Sequence, residues 1–330
     1  MARFLNDQAK VVLFFESGTY GNASGNGVWP GQIQSHNIVE KENIIETRYL
    51  GQGNRNVGQF NPGPRDVAGQ ITLYAQDWRM LGFAMGSITT TSGTNNTYNL
   101  SEVNSAQRFN AYTSGTLNPF ISFTLEESRT GPTANQNSMR TIKGCNVDEI
   151  DIKIRQSDPI VMDVKFIGQS GSWFSGTSTS VTANSDRPYL WSDTLFALAG
   201  TNQEPVKDLT FSIKNNFVGP HYVNGSRAIS VPYPLNRDYL VDVTQDLEST
   251  TAGSLYDVYF KGGSQFNATL DLNNTFNAGS NRITLTFSGC KMETMELPAQ
   301  IGGISEVTYT FVPGSVSAVV YDATRFYTAW

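Results

Sequence analysis

Side chains able to do chemistry are few in this chain, and they are scattered. The two histidines, His36 and His221, lie in different halves and in polar, loop-like contexts. A zinc or iron site needs several His, Cys or carboxylate ligands at helical or hairpin spacing, and neither histidine has such neighbours. Both are expected at the surface. Cys145 and Cys290 are the only cysteines. A nucleophilic thiol needs a nearby base or cation; each of these instead opens an alternating, strand-like run. Small buried strand residues are expected, too far apart for a disulfide. The acidic pairs Glu126-Glu127 and Asp148-Glu149 have the chemistry of a glycosidase couple. Adjacency along a strand sets no spacing across a cleft, so solvent-facing positions are expected. Residues 51–56 (GQGNRN) are glycine-rich but open no apolar helix, and no P-loop pattern occurs. The sequons at Asn22, Asn99, Asn224 and Asn267 carry little weight in an Asn- and Thr-rich chain without a secretion signal. The residues thus predict no enzyme, no catalytic, cofactor-binding or metal site, and no cofactor.

What must be positioned is therefore surface. The chain has 330 residues, enough for roughly two domains of about 150 each. Charged residues make up only 16%, below the ~25% of an ordinary soluble domain. The exterior is accordingly expected to be rich in Asn, Gln, Ser, Thr and Gly. Lys and Arg number 23 against 29 Asp and Glu, a net charge of −6. That balance argues against a DNA-gripping surface, which needs clustered cations, but not against one that DNA slides past. No apolar run approaches the ~20 residues of a membrane span. The start lacks the apolar core of a secretory signal, and synthesis in a cytoplasm is expected.

An internal repeat organises the elements. Segment 144–168 (GCNVDEIDIKIRQSDPIVMDVKFIG) lies over 289–313 (GCKMETMELPAQIGGISEVTYTFVP) without a gap. Gly144 meets Gly289, Cys145 meets Cys290, Ile150 meets Met295, and Phe166 meets Phe311. Apolar residues at every second position predict a strand, a turn and a returning strand in each copy. The turns are expected at 156–159 and at Gly302-Gly303. Arg65-Asp66-Val67 corresponds to Arg237-Asp238-Tyr239, and residues 44–50 correspond to 209–214. One short helix follows in each half. In the first, Asp77 caps a helix over 78–85 that stops at Gly86. In the second, Ser249 or Thr250 starts a helix through Leu255, Tyr256, Val258, Tyr259 and Phe260, stopped by Gly262-Gly263.

The expected division is an N-terminal arm (1–39), a first module (40–168) with a polar insertion (87–107), a linker or arm (169–188), a second module (189–318) and an aromatic tail (319–330). Trp173-Phe174 in the linker, and the four aromatics within the last ten residues, are expected to dock on something.

The repeated GC-x-[VM]-[DE]-x-[IM]-x-[IL] strand, its hairpin and the return Val164-Lys165-Phe166-Ile167-Gly168 resemble the C-terminal part of tail tube proteins of long-tailed bacteriophages. So does the strand leading into a helix that ends in glycine, from Gly69 to Gly86. The resemblance implies an all-β fold with minor α: two tandem β-sandwich or barrel modules, each with one flanking short helix. It also implies a structural virion subunit that stacks as rings into the hollow tail tube through which the genome is delivered. Six modules to a ring would make this chain a homotrimer, pseudo-hexameric. Implied partners are other copies of the chain, a tape-measure protein inside the tube, and tail-terminator and baseplate or tip proteins at its ends. Genomic DNA would pass without specific binding. The alternatives are another virion protein (terminator, decoration or capsid-associated) and a carbohydrate-binding sandwich with Trp29, Trp173 and Trp191 as sugar platforms.

Overall fold

The computed structural model describes residues 9–16, 20–48, 57–91, 97–102, 121–129, 138–175, 178–182, 186–203, 206–223, 225–246, 255–274, 281–297 and 305–321. The first half runs β1 (Ala9–Glu16), β2 (Ala23–Val28), β3 (Gln32–Glu42), β4 (Ile45–Thr47), β5 (Gln59–Asn61), β6 (Arg65–Tyr74), α1 (Arg79–Met85), β7 (Gly86–Thr91), β8 (Thr97–Glu102), β9 (Phe123–Arg129), β10 (Ser138–Arg155), β11 (Val161–Gly168) and β12 (Ser170–Ser175). The second runs β13 (Thr194–Leu198), β14 (Thr201–Asn202), β15 (Val206–Lys214), β16 (Phe217–Val218), β17 (Tyr233–Pro234), β18 (Asp238–Asp246), a wide helical turn (Leu255–Phe260), β19 (Phe266–Asn274), β20 (Asn281–Glu296), β21 (Glu306–Val312) and β22 (Ser315–Tyr321). The chain is all-β with minor α.

Two long strands, β10 and β20, organise everything. The C-terminal part of each belongs to one inner sheet, ordered β3-β6-β11-β10-β15-β18-β21-β20 and antiparallel throughout. The N-terminal part of each crosses into an outer sheet. In the first half that sheet is β2-β1-β9-β10-β12; in the second it is β14-β13-β19-β20-β22-β8-β7. Outer sheets pack on the inner one as sandwiches. Alternation places Ile150, Ile152 and Ile154 of β10 and Leu209, Phe211 and Ile213 of β15 in the core. One apolar cluster runs through both halves.

The repeated Gly-Cys marks the crossing point. Gly144 and Gly289 have φ of 65° and 62°, a left-handed conformation that glycine adopts without a Cβ penalty. Each sits in a β-bulge, where a strand bends and changes direction: register breaks between Ile142 and Cys145 in β10, and next to Cys290 in β20. A second bulge skips Asp148 against β11 and Glu293 against β21. Phe123 meets Phe166 edge-on across the first sandwich at 5.8 Å, and Phe266 meets Phe311 likewise at 5.3 Å.

Several expectations change. The 1–39 stretch, expected as an arm, supplies β1, β2 and most of β3. The place held by β15 in the second half is held by β3 in the first, not by 44–50: Lys41 pairs with Asp66 as Lys214 pairs with Asp238. Residues 45–47 form a separate small hairpin with β5. The linker supplies β12, and Thr179 beyond it lies on the first outer sheet, where its N–H and Oγ1 donate to Glu126, both at 2.9 Å. The 87–107 insertion contains a hairpin, β7–β8, that joins the second half's outer sheet through β22.

Gly86 stops α1 with φ 91°, but the helix begins one residue later than expected, with Trp78 rather than Asp77 at its N-cap and no side-chain cap; Asp77 still accepts from the Arg79 N–H at 3.1 Å. The expected starts at Ser249 or Thr250, residues 51–56, Asn224, Gly302-Gly303 and 322–330 lie outside the described residues.

Candidate functional site

The most elaborate polar cluster forms where the halves join, along β10 and β15. Their ladder opposes Glu149 to Lys214, Asp151 to Ser212 and Arg155 to Asp208. Glu149 Oε1 stands 3.4 Å from Lys214 Nζ, and Oε2 stands 2.6 Å from Lys165 Nζ. Burial works against the Glu149 charge, but the lysines, Lys165 foremost, hold its carboxyl below the usual carboxylate range. Ser212 Oγ donates to Asp151 at 2.6 Å. Bulged Asp148 grips the end of β15: its carbonyl accepts from Asn215 N–H at 2.7 Å and its carboxylate from Phe217 N–H at 2.7 Å. Burial pushes the Asp148 carboxyl above its ordinary value.

Asn215 is fully buried. Its Nδ2 donates to the carbonyls of Ala84 (2.9 Å) and Val147 (2.8 Å), and its Oδ1 accepts from Arg237 Nε at 2.6 Å. The Arg237 guanidinium also donates to the carbonyls of Ala84 and Met85 at 3.0 and 3.1 Å. Two second-half side chains thereby satisfy the orphan carbonyls at the end of the first half's helix, where a cation is also favoured by the helix dipole. Tyr239, whose hydroxyl burial pushes above its ordinary value, donates to Glu102.

The inner sheet ends in two strands that pair on one side only among the described residues: β3, and residues 291–296 of β20. Where Val147 and Ile150 are fully buried, their counterparts Met292 and Met295 are half-exposed, and Glu293, Thr294 and Glu296 are exposed. Leu297 is 54% and Val39 of β3 53% exposed. Helix α1 is wholly buried, whereas Tyr256, Val258 and Phe260 of the second half's helical turn are exposed. Uncovered apolar side chains thus stand at both ends of the inner sheet. A protein-family model described as phage tail tube protein matches residues 7–285, running through the first half and most of the second. The chain belongs to the phage tail tube protein family. No curated protein matches it. It is a structural component of a virion tail.

The residues singled out for chemistry take structural parts in this tail tube protein. Cys145 and Cys290 are fully buried and unpaired. Burial pushes the Cys145 thiol well above its ordinary value and Cys290 up to about 11, which disfavours the thiolate that nucleophilic chemistry needs. His36 is half-buried rather than exposed. Its Nε2 lies 3.1 Å from Glu127, whose side chain is only 4% exposed. His221 lies 3.0 Å from Asp66, which ties the second half's loop to the first half. Glu126 and Glu127, expected to face solvent, are both buried on opposite faces of β9. Cover on both faces of β9 explains this: Thr179 satisfies Glu126, and His36 of the inner-sheet strand β3, with Arg129, satisfies Glu127. Asp148 and Glu149 are half-buried for the seam contacts above.

Trp29 and Trp191 line different cavities, and Trp173 sits on β12 beneath Arg140 at 5.2 Å; they form no shared platform. Among the described residues no group of three or more His, Cys, Asp or Glu is placed to hold a metal, and no helix is long and apolar enough to cross a membrane. The residues missed by sequence reasoning are Asn215, Arg237, Tyr239 and Glu102. The repeat pairs Arg237 with Arg65, which points at the strand but not at its reach to α1.

Proposed function

We propose that the two halves are copies of one module, and that three chains close into a pseudo-sixfold ring. Rings stack into the hollow tail tube through which the genome is delivered. One observation carries this reading: the inner sheet runs eight strands without closing, and its edge strands occupy the positions that β15 and β10 occupy at the junction inside the chain. A repeated module whose copies join through one kind of edge pair leaves that pair open at its ends. Closure removes exposed edges that otherwise invite uncontrolled pairing. Coinciding bulges, left-handed glycines and aromatic pairs support the duplication.

A net charge of −6 suits a conduit that does not hold phosphate. Within such a tube the partners are a tape-measure protein inside and terminator and baseplate or tip proteins at the ends. Negative-stain electron microscopy of the purified protein tests the proposal. Hollow tubes, or rings with pseudo-sixfold outline, are expected. A dispersed monomer at high concentration would overturn it.

A further inference from the structure

We propose that β3 of a second copy of this chain pairs antiparallel with residues 291–296 of β20, opposing Lys41 to Thr294 and Val39 to Glu296. The inference rests on the ring reading and specifies the seam that closes it.

The register comes from the chain itself. On the β3 side, Lys41 matches Lys214 through their partners Asp66 and Asp238, and the bulge between Ile33 and Ser35 falls where β15 has one between Val206 and Asp208. On the β20 side, the skipped residue Glu293 matches Asp148. Transferring the junction's pairs Glu149–Lys214 and Asp151–Ser212 gives the two oppositions named. No strand has to shift to make them.

The chemistry of the edges fits that register. Glu293 is an exposed carboxylate at the same bulge as Asp148, and Asp148 receives the Phe217 N–H; the matching donor on the incoming copy is the Ile44 N–H. Arg65 and Glu42 match Arg237 and Asn215, the pair that reaches the end of α1. Both are exposed, 3.7 Å from each other, and Glu42 also meets Arg227. In the proposed seam they reach the Leu255–Phe260 turn of the receiving copy, which packs on β20 as α1 packs on β10. That turn offers uncovered Tyr256, Val258 and Phe260, and Lys261, directly after it, is an exposed cation that the seam would set near the incoming Glu42.

Cysteine cross-linking tests the seam. Chains carrying Val39→Cys with Glu296→Cys, both exposed positions, are assembled, oxidised and run on a non-reducing gel. The wild-type chain, whose thiols are buried, controls for background. Covalent dimers and trimers are expected, and a register-shifted pair, Val39→Cys with Thr294→Cys, is expected to cross-link at least tenfold less. Tubes or rings by microscopy with no Val39–Glu296 cross-link, or with the shifted pair favoured, would overturn the seam and leave the ring standing. Cross-linked ladders running past three chains would keep the register and overturn the three-chain ring.

Discussion

The junction inside the chain and the two free edges are built on the same strand positions with different side chains. At the junction, Ile150 faces Ile213 and Ile152 faces Phe211, all fully buried. The matching inward positions at the edges are Glu40 and Ile38 on β3 and Met295 and Leu297 on β20, so Glu40 puts a charge where the junction has Ile213. A covalently joined pair meets at high effective concentration and tolerates an apolar seam. An edge exposed in the free subunit is guarded by charge against premature pairing. The outer layer differs in the same sense. The β7–β8 hairpin follows α1 and joins β22, so the junction is covered in both layers. After the Leu255–Phe260 turn the chain passes directly to β19 without such a hairpin. Inside the chain the seam is permanent and covered in both layers; at the edges Glu40 interrupts the apolar positions, and no hairpin after the Leu255–Phe260 turn covers the outer layer.

The sharpest way to break this comparison is to remove matching residues from the two places. Asn215→Leu removes the side chain that bonds the Val147 carbonyl and the half-buried Arg237 Nε. Unsatisfied buried groups cost roughly 1–3 kcal/mol each, so a loss of about 3 kcal/mol or more is expected in urea unfolding of the unassembled chain. Glu42→Ala, the matching position at the free edge, removes only exposed ion pairs. It is expected to change unfolding by less than about 1 kcal/mol while assembly is lost. Equal losses of subunit stability at both positions would show that the edge is not an uncovered copy of the junction.

A second contrast uses the crossing glycines. Alanine in the left-handed conformation costs about 1–2 kcal/mol at either position. At Gly144 the added Cβ would also lie 2.6 Å from the Tyr20 ring and 2.8 Å from Gln169 Cβ, whereas at Gly289 nothing lies within 4 Å. Overpacking adds roughly 1–3 kcal/mol. Gly144→Ala is thus expected to lower the unfolding midpoint clearly more than Gly289→Ala. An equal drop would mean that Tyr20 yields without resistance.

Much of this architecture was legible because core positions alternate in plain sight. Residues 144–168 and 289–313 each show an apolar residue at every second place, and the glycine before each cysteine marks a bend. Strand β3 was hidden for the opposite reason. Its inward residues are His36, Ile38 and Glu40, two of them polar and satisfied by Glu127 and by Arg140 at 2.8 Å. The apolar Ile44-Ile45 drew the strand assignment to a hairpin that is exposed. The β7–β8 hairpin escaped because its polar run, SITTT, sits at a sheet edge and is anchored only through β8, which pairs with β22 more than two hundred residues on. The junction escaped as a site because Asn215 and Arg237 act on a helix more than a hundred residues earlier, a contact that no local pattern carries. The exposed edges showed only as scarce charge, with no sign of which strands they were.

The smallest expected effect compares the two histidine–carboxylate pairs. His36–Glu127 lies within the first half, its carboxylate buried and its imidazole half-buried; His221–Asp66 joins the halves at the surface, with the Asp66 side chain 49% exposed. The hydrogen bond from His36 outweighs burial and holds Glu127 below its ordinary 4.5; that from His221 does the same for Asp66, ordinarily 3.8. A carboxyl whose pKa is depressed by folding contributes stability above its ordinary value and loses it as pH falls through the folded one. Urea midpoints of the wild-type chain should therefore decline as pH falls below the ordinary carboxylate range. His36→Gln is expected to flatten that decline measurably at any salt concentration. His221→Gln should flatten it less, and its effect should fade at roughly 0.5 M salt, where exposed pairs are screened. If His221→Gln proved the larger and salt-independent of the two, the tie between the halves would be carrying buried charge, and the surface assigned to it would be wrong.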